Sequence, residues 1–591
     1  MFFDFQVDVP DAPGLLVRKK RGNYYSVEYE YERTYDPVKQ YTYPKRAMIG
    51  RQLNKDDQKM WPNENFLKYF PDAELPEAMD RTARSPYLNA GSFIVLEKII
   101  SEYHLYELLQ KYMSAKDAGL LLDLACYSIV SEDNAGQYYP DYAYCHPLFT
   151  SGMKIYSDSK VSDFLHGIRA DQTVGFLNSW NESRNKREKI YISYDSTNKN
   201  CQAGDIDMVE FGHPKTDAGL PVFNYSVAYD TANREPLFYE QYPGSINDVS
   251  QLRYAVDKAY SYGYRKLGFI LDRGYFSRAN LAYMDKNGYS FIIMVKGMKK
   301  FIRAIVMKQM GTFENRRAKY IDRYDVYGTT ASGELYEGDE QTRYIHVYYS
   351  DVKALSGKQQ VKEKIRRMKA FLDSCEGKEK EFGPGFEEYF YLHYGKDGKT
   401  FAIAEERTDV IEQELSLCGY FAIITSDKMT AREAITLYKS RDASEKLFRS
   451  DKTFLGNRSI RTGSGDAASA RIFVEFLALI IRCRLYSMLK ERQESMSERP
   501  NYLTVPAALK ELEKIVMIRQ LDGVYRLDHA VTKHEKVILD AFGISEANVR
   551  YRTGKIGKLL EQIMGGEEKG ENNGEDQKNG NAAAGAEDRA G

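Results

Sequence analysis

Asp195, in Tyr-Asp-Ser-Thr-Asn, and Asp272, in Ile-Leu-Asp-Arg-Gly-Tyr, each close an apolar run that reads as a buried strand. A carboxylate in that position is costly unless it is paired, hydrogen-bonded or bound to a cation, which makes both candidates for metal-assisted chemistry. Taken singly, an aspartate after a strand is more commonly a turn or cap residue. A third stretch, Tyr438-Lys-Ser-Arg441-Asp-Ala-Ser-Glu445 and on to Lys452, changes that balance. At about 100° per residue in an α-helix, Tyr438, Arg441 and Lys452 fall within about 40° of Glu445 on one face. If the helix breaks at Ser440, Tyr438 leaves this face while Arg441, Glu445 and Lys452 stay together. An acid flanked by phosphate-binding cations, joined to two strand-end aspartates, is a set that phosphodiester chemistry can use. The plainer reading of the stretch is an amphipathic surface helix with an Arg441–Glu445 pair at i, i+4.

The elements around these residues have a definite order. From Lys189 the pattern becomes strand-like, with runs at Ile190–Asp195, Leu220–Tyr229 and Glu235–Tyr242, then a helical stretch near 249–262. The strand Lys266–Asp272, a helix near 277–286 and the strand from Phe291 follow. The order β-β-β-α-β-α-β is that of an RNase H-like core, a mixed sheet flanked by helices, so the expected fold class is α/β. The expected domains are a basic, Tyr-rich module at 1–85, a helical DNA-contact region at 86–188, the catalytic core at 189–296 and 418–490, an inserted strand-rich subdomain at 297–417, a C-terminal helical region at 491–565 and a disordered acidic tail at 566–591. Within them, Tyr344-Ile-His-Val-Tyr-Tyr is assigned to the inserted subdomain. Gly419–Thr425 resumes a core strand, and Thr430-Ala-Arg-Glu433 is a capping box opening a helix. Apolar helices are expected near 468–490 and 505–518.

Together the residues resemble the insertion-sequence-four transposases of bacteria, whose C-terminal signature Tyr-x2-Arg-x3-Glu-x6-Lys is matched at all four positions. Its companions are Tyr-Asp-Ser-Thr, Gly212-His-Pro-Lys, Pro243-Gly-Ser-Ile-Asn-Asp and Leu-Asp-Arg-Gly-Tyr. The resemblance covers roughly 190–490, and more loosely the Tyr-rich N-terminus. It implies that Asp195, Asp272 and Glu445 are a DDE triad holding two Mg²⁺ ions, with Mn²⁺ able to substitute. It further implies that Tyr438, Arg441 and Lys452 grip phosphates, and that a homodimer pairs inverted-repeat ends of double-stranded DNA in a synaptic complex before joining them to target DNA. Pro214 stands where the pattern has Ser, which leaves the roles of His213 and Lys215 open.

Composition narrows the field further. The chain has 591 residues, 43% hydrophobic and 29% charged, which is globular and suits several domains. Six scattered cysteines without Cys-x-x-Cys or zinc-ligand spacing read as reduced structural thiols. The net charge of −1 is a poor match to a polyanion. However, the stretch from Gly566 onward has seven acids against three bases, so the remainder is +3 and DNA contact must come from local patches. Arg18 to Arg21 is one such cluster, although four consecutive bases are more commonly a solvated surface. Met1-Phe-Phe-Asp is not a secretory start, and the longest apolar run, Ile472 to Ile481, is interrupted by Glu475 and too short to span a bilayer. A cytoplasmic, nucleoid-associated protein without membrane contact is expected. The competing readings are an RNase H-like nuclease lacking strand transfer and a DNA-binding relic that does not cut.

Overall fold

The computed structural model describes residues 2–3, 5–75, 84–184, 189–201, 206, 208–210, 221–246, 248–275, 277–294, 299–335, 339, 341–442, 459–460, 462, 464–520 and 522–563. They belong to two compact units, Met1–Arg84 and Ser85–Gly591. In the first, strands Val7–Asp8, Lys59–Pro62, Tyr41–Gln52, Tyr24–Asp36 and Leu16–Arg21 lie side by side in that order. Val27, Ile49, Met60 and Phe66 form its core. The basic cluster is tied into the sheet: Lys19 and Arg21 pair with Glu28 at 2.6 and 3.2 Å, and Arg18 donates to Gln52 at 3.0 Å.

The second unit is a mixed α/β structure. Its first part is helical, with Gly91–Glu102, Ala115–Ser131 and Ala170–Glu182 among its helices. Then come β1 (Ile190–Cys201), β2 (Val222–Asp230), β3 (Glu235–Pro243), α1 (Asp248–Ser261), β4 (Leu267–Leu271), α2 (Arg278–Lys286) and β5 (Ser290–Met294). Beyond these lie β6 (Tyr320–Ile321), β7 (Val326–Gly333), β8 (Arg343–Tyr349), α3 (Asp351–Asp373), β9 (Tyr420–Thr425), α4 (Ala431–Lys439), β10 (Ser459–Ile460) and α5 (Gly465–Glu494). One sheet carries all these strands, in the order β6-β7-β8-β9-β5-β4-β1-β2-β3 with β10 alongside β1. β4 runs parallel to β1 and β5, and β10 parallel to β1, whereas the other pairs are antiparallel. The five residues of β4, Leu-Gly-Phe-Ile-Leu, are all buried because helices cover both faces of the sheet there.

The β-β-β-α-β-α-β order read from periodicity is the order found from β1 to β5. Two segments differ. Tyr344–Tyr349, expected in an inserted subdomain, forms β8 and pairs along its length with β9, extending the main sheet. Alternation of apolar and polar residues specifies a strand but not its neighbour. Separate from this sheet, α3, the hairpin Phe390–Tyr394/Phe401–Glu406 and the helix Thr408–Leu417 enclose a small core of Ile365, Leu372, Phe390 and Phe401. In the C-terminal region the helix Val505–Leu512 gives way to a strand, Val516–Arg519, that pairs with Tyr87–Asn89 and Tyr525–Leu527, where a helix to residue 518 was expected. No helix among the described residues is long and apolar enough to cross a membrane.

His346 of β8 is fully buried between Thr330 and Thr425, 2.9 and 3.0 Å from their hydroxyls. Burial pushes its imidazole down to about 4, from an ordinary value of 6.5. The unfolded chain therefore takes up this proton first as pH falls, so stability from the neutral ring is complete above about 6.5 and lost toward about 4. In urea titrations, the stability advantage of wild type over His346→Gln is expected to shrink by on the order of 2–3 kcal/mol between pH 7 and pH 4. A pH-independent difference contradicts the buried neutral ring.

Candidate active site

The last registered pair between β1 and β4 is Tyr194 with Leu271, so Asp195 and Asp272 are the next residues of two adjacent parallel strands. Strand spacing sets their backbones about 4.8 Å apart. Side-chain alternation then decides the face. Ile270, Ile292 and Ile423 pack with Ala434, Ile435 and Tyr438 of α4, and Tyr191 packs against the same cluster. Asp272, two residues after Ile270, and Asp195, four after Tyr191, therefore project toward the face that α4 covers. On that face Asp195 stands opposite Val227 and Val227 opposite Tyr239, whose ring lies 5.0 Å from Phe476 of α5. The two carboxylates thus occupy the strip between α4 and α5.

The beginning and end of α4 are both specified locally. Thr430 Oγ accepts the Glu433 N–H at 3.2 Å while the Glu433 carboxylate accepts the Thr430 N–H at 2.7 Å, a complete capping box. The preceding loop is pinned by Asp427, which accepts from Lys189 at 2.5 Å, Tyr191 at 2.9 Å and Ser290 at 2.9 Å. Burial alone would raise the Asp427 carboxyl, but these donors hold it below the usual range. Tyr191 reaches Asp427 across Gly268, where any Cβ would lie 2.3 Å from the tyrosine ring.

The helix ends at Lys439, capped by Ser440, so Tyr438 and Arg441 do not share one continuous helix as first expected. Tyr438 is 6% exposed within the apolar layer under the site. Arg441 turns back across it, its guanidinium 5.5 Å from the Tyr438 ring centroid and 3.1 Å from the Asp272 carboxylate. Its ion pair with Asp272 joins residues far apart in sequence. Asp195 accepts the N–H of Ser196 at 2.9 Å, and the Asp272 side chain is 41% exposed. Glu445, Lys452, His213 and Lys215 lie outside the described residues.

Two adjacent carboxylates, one open to solvent, offer hard oxygen donors of the kind a divalent cation such as Mg²⁺ takes alongside water. The donor set therefore fits such an ion. Among the described residues no group of three His, Cys, Asp or Glu side chains gathers in metal-binding range.

A second charged pair lies on the same face, and residue-by-residue reading had not found it. Lys199, four residues beyond Asp195 on β1, forms an ion pair with Glu475 of α5, with both side chains almost completely buried, and its ammonium sits 4.9 Å from the Tyr225 ring. The signal was present in the sequence: an acid interrupting the apolar run Ile472 to Ile481 requires a partner. Glu475→Gln, which removes the charge of one member of a buried ion pair, is expected to destabilise the fold by about 3–5 kcal/mol in chemical denaturation. The double variant Lys199→Met/Glu475→Leu should recover most of that loss. No recovery means that the pair does more than balance charge.

The family model described as a transposase DDE domain matches residues 192–481, a span that contains both aspartates, α4 and most of α5. No curated protein matches the chain. Among solved structures it is similar to a piggyBac transposase synaptic complex with hairpin DNA, at 9% identity and a TM-score of 0.30, over 80% of this chain and 74% of that one. The matched domain belongs to enzymes that break and rejoin phosphodiester bonds, and the protein is a DNA transposase.

Proposed function

We propose that Asp195, Asp272 and Glu445 are the DDE triad of an RNase H-like transposase of the insertion-sequence-four type, acting on the inverted-repeat ends of its own element. The observation that carries this reading is the register of β1 and β4, which puts Asp195 and Asp272 at one level on one face. Glu445 follows Arg441 by four residues, and the Arg441 guanidinium is already at Asp272. Mg²⁺, as two ions and replaceable by Mn²⁺, would supply the Lewis acidity that activates the attacking oxygen and stabilises the leaving one. Asp195 and Asp272 would hold it from the sheet and Glu445 from the segment after α4.

Arg441 and Lys452 would grip phosphates of the cleaved strand. Tyr438, buried beneath Arg441, would contribute by seating that guanidinium. No side chain needs to bond covalently to DNA: water attacks first to free the element's 3′ end, and the 3′-OH then attacks target DNA in the same centre. A homodimer holding two ends, the helical region at 86–188 as a DNA contact and a cytoplasmic, nucleoid-associated setting complete the reading.

The test is metal-dependent cleavage and strand transfer on a duplex carrying the sequence that flanks the reading frame. Asp195→Asn, Asp272→Asn and Glu445→Gln are each expected to lower both reactions by at least about 10³-fold while DNA binding survives, because each loses ligand charge with little change of shape. Any variant that still nicks removes its residue from the triad. Hydrolysis without joining of a pre-cut end would reduce the activity to that of a nuclease.

A further inference from the structure

The strands added to the sheet border an open groove of about 640 Å³, walled by β6 and β7 on one side and by residues 428–432, where α4 begins, on the other. Three cations line it, Lys319, Lys428 and Arg432, with the hydroxyls of Thr329, Ser332 and Tyr344 among them. Among the described residues no carboxylate lines this groove, and none of the three cations is joined to an acid in an ion pair. Arg432 is held instead by donating to the Tyr320 carbonyl at 3.0 Å, a bond that uses only part of a guanidinium's donor capacity. The stretch 316–323, which supplies Lys319, has four bases and one acid, and that acid, Asp322, pairs with Arg317 at 3.1 Å.

In a chain of net charge −1 an acid-free, cation-lined concavity is a local departure from the average. Bases and acids are interspersed on an ordinary surface, whereas bases gathered around a groove without acids hold a positive potential inside it. The hydroxyls between them add donors that suit phosphate oxygens. A second groove, of about 690 Å³, shares Lys428 and Arg432 and follows α4 past Thr436 to Ser440, the residue before Arg441. Glu433 lines this second groove, but its carboxylate is committed to the Thr430 cap. In succession the two grooves lead from the added strands to the end of α4 beside Asp272. The nine residues of α4 rise about 13 Å at about 1.5 Å each, the length of about four base pairs of duplex.

We propose that the groove between β6, β7 and the start of α4 seats the phosphodiester backbone of DNA, held by Lys319, Lys428 and Arg432. It is a binding site separate from the aspartates, and it gives the added strands a task. A polyanion is the ligand that a groove of this charge favours, and DNA is the polyanion that a transposase handles. The site does not depend on which residues cleave, because its contribution is to binding.

The experiment uses the full chain with Lys319→Gln, Lys428→Gln and both together; Arg432 is left in place because it also holds Tyr320. A control double variant, Lys358→Gln/Lys362→Gln, removes the same charge from exposed positions on α3. Binding is measured in a salt series on a duplex with the sequence flanking the reading frame and on a random-sequence duplex. Each single change in the groove is expected to make the slope of log affinity against log salt shallower by about 0.9, and the double change by about 1.8. The control slope should match wild type, and melting temperatures without DNA should stay level. The change is expected on both duplexes, since phosphate contacts carry no sequence information; a change on the flanking-sequence duplex alone also supports the groove and assigns it to the element end. Unchanged slopes on both duplexes overturn the proposal, whether or not the melting temperature falls. An equal change in the control overturns it too, because the effect is then one of net charge. Nicking by wild type, abolished in Asp195→Asn, tests the centre separately. Nicking with unchanged slopes removes the groove alone, whereas altered slopes without nicking keep the groove and remove the assignment of the centre.

Discussion

Two carboxylates on adjacent parallel strands, at one level and on one face, are an electrostatic demand that the surrounding structure must meet. Side by side at strand spacing they repel. In this chain Asp272 is met by Arg441 at 3.1 Å, delivered by the turn that ends α4. The position of α4 depends in turn on Asp427, tied to Lys189, Tyr191 and Ser290 at the opposite end of the same strands. Both ends of the helix are therefore referenced to β1, β4 and β5, the strands that lie at and beside the two aspartates. A cation at the carboxylates would compete with Arg441 for the same charge, leaving the guanidinium available to a phosphate.

The opposite face of these strands is built differently. Tyr194, between Ser193 and Asp195 on β1, donates or accepts at Ser226 at 2.7 Å and donates to Glu240 at 3.0 Å, and Gln251 of α1 donates to Glu240 at 2.9 Å. Its ring packs 5.6 Å from Tyr275, which follows Asp272 by three residues. Each aspartate thus has a tyrosine neighbour locked into the far side of the sheet. That locks the backbone while the carboxylate side stays open, and a rigid support is what fixes ligand geometry in a catalytic centre. The Lys199–Glu475 pair performs a comparable service between β1 and α5, joining the sheet to that helix by charge alongside its apolar packing.

The large sheet also shows where the chain between β5 and β9 goes. After β5 the polypeptide adds β6, β7 and β8 to the edge of the sheet before β9 closes against β5, so β9 is antiparallel to both of its neighbours. Arg343, buried at the start of β8, pairs with Asp339 at 3.0 Å and with Asp285 of α2 at 2.5 Å, fastening the added strands to the helix before β5. Only then does the chain depart into α3 and the small core around Phe390 and Phe401. That core is closed by its own aromatic contacts, such as Phe382 with Phe401 at 4.8 Å.

Much of the centre was legible from residue order. Apolar runs ending in Asp195 and Asp272, and the capping box at Thr430–Glu433, are properties of a few consecutive residues, and local physics is enough to specify them. The strands and helices from β1 to β5 were legible for the same reason, because periodicity of 2 or 3.6 is written along the chain. Register was not. That Tyr194 meets Leu271 follows from the crossover through α1 and from packing on both faces, which involve residues far apart in sequence. Likewise Arg441 finds Asp272, Lys199 finds Glu475, and Tyr344–Tyr349 joins β9, because each partner is set by where the backbone returns. The sequence by itself determined which side chains have the chemical type to hold a cation or a phosphate, and the strands and helices from β1 to β5 around the two aspartates. Tertiary structure alone decided which charges face one another, since Coulomb energy depends on distance in space, and spacing along the chain constrains that distance only within a single element.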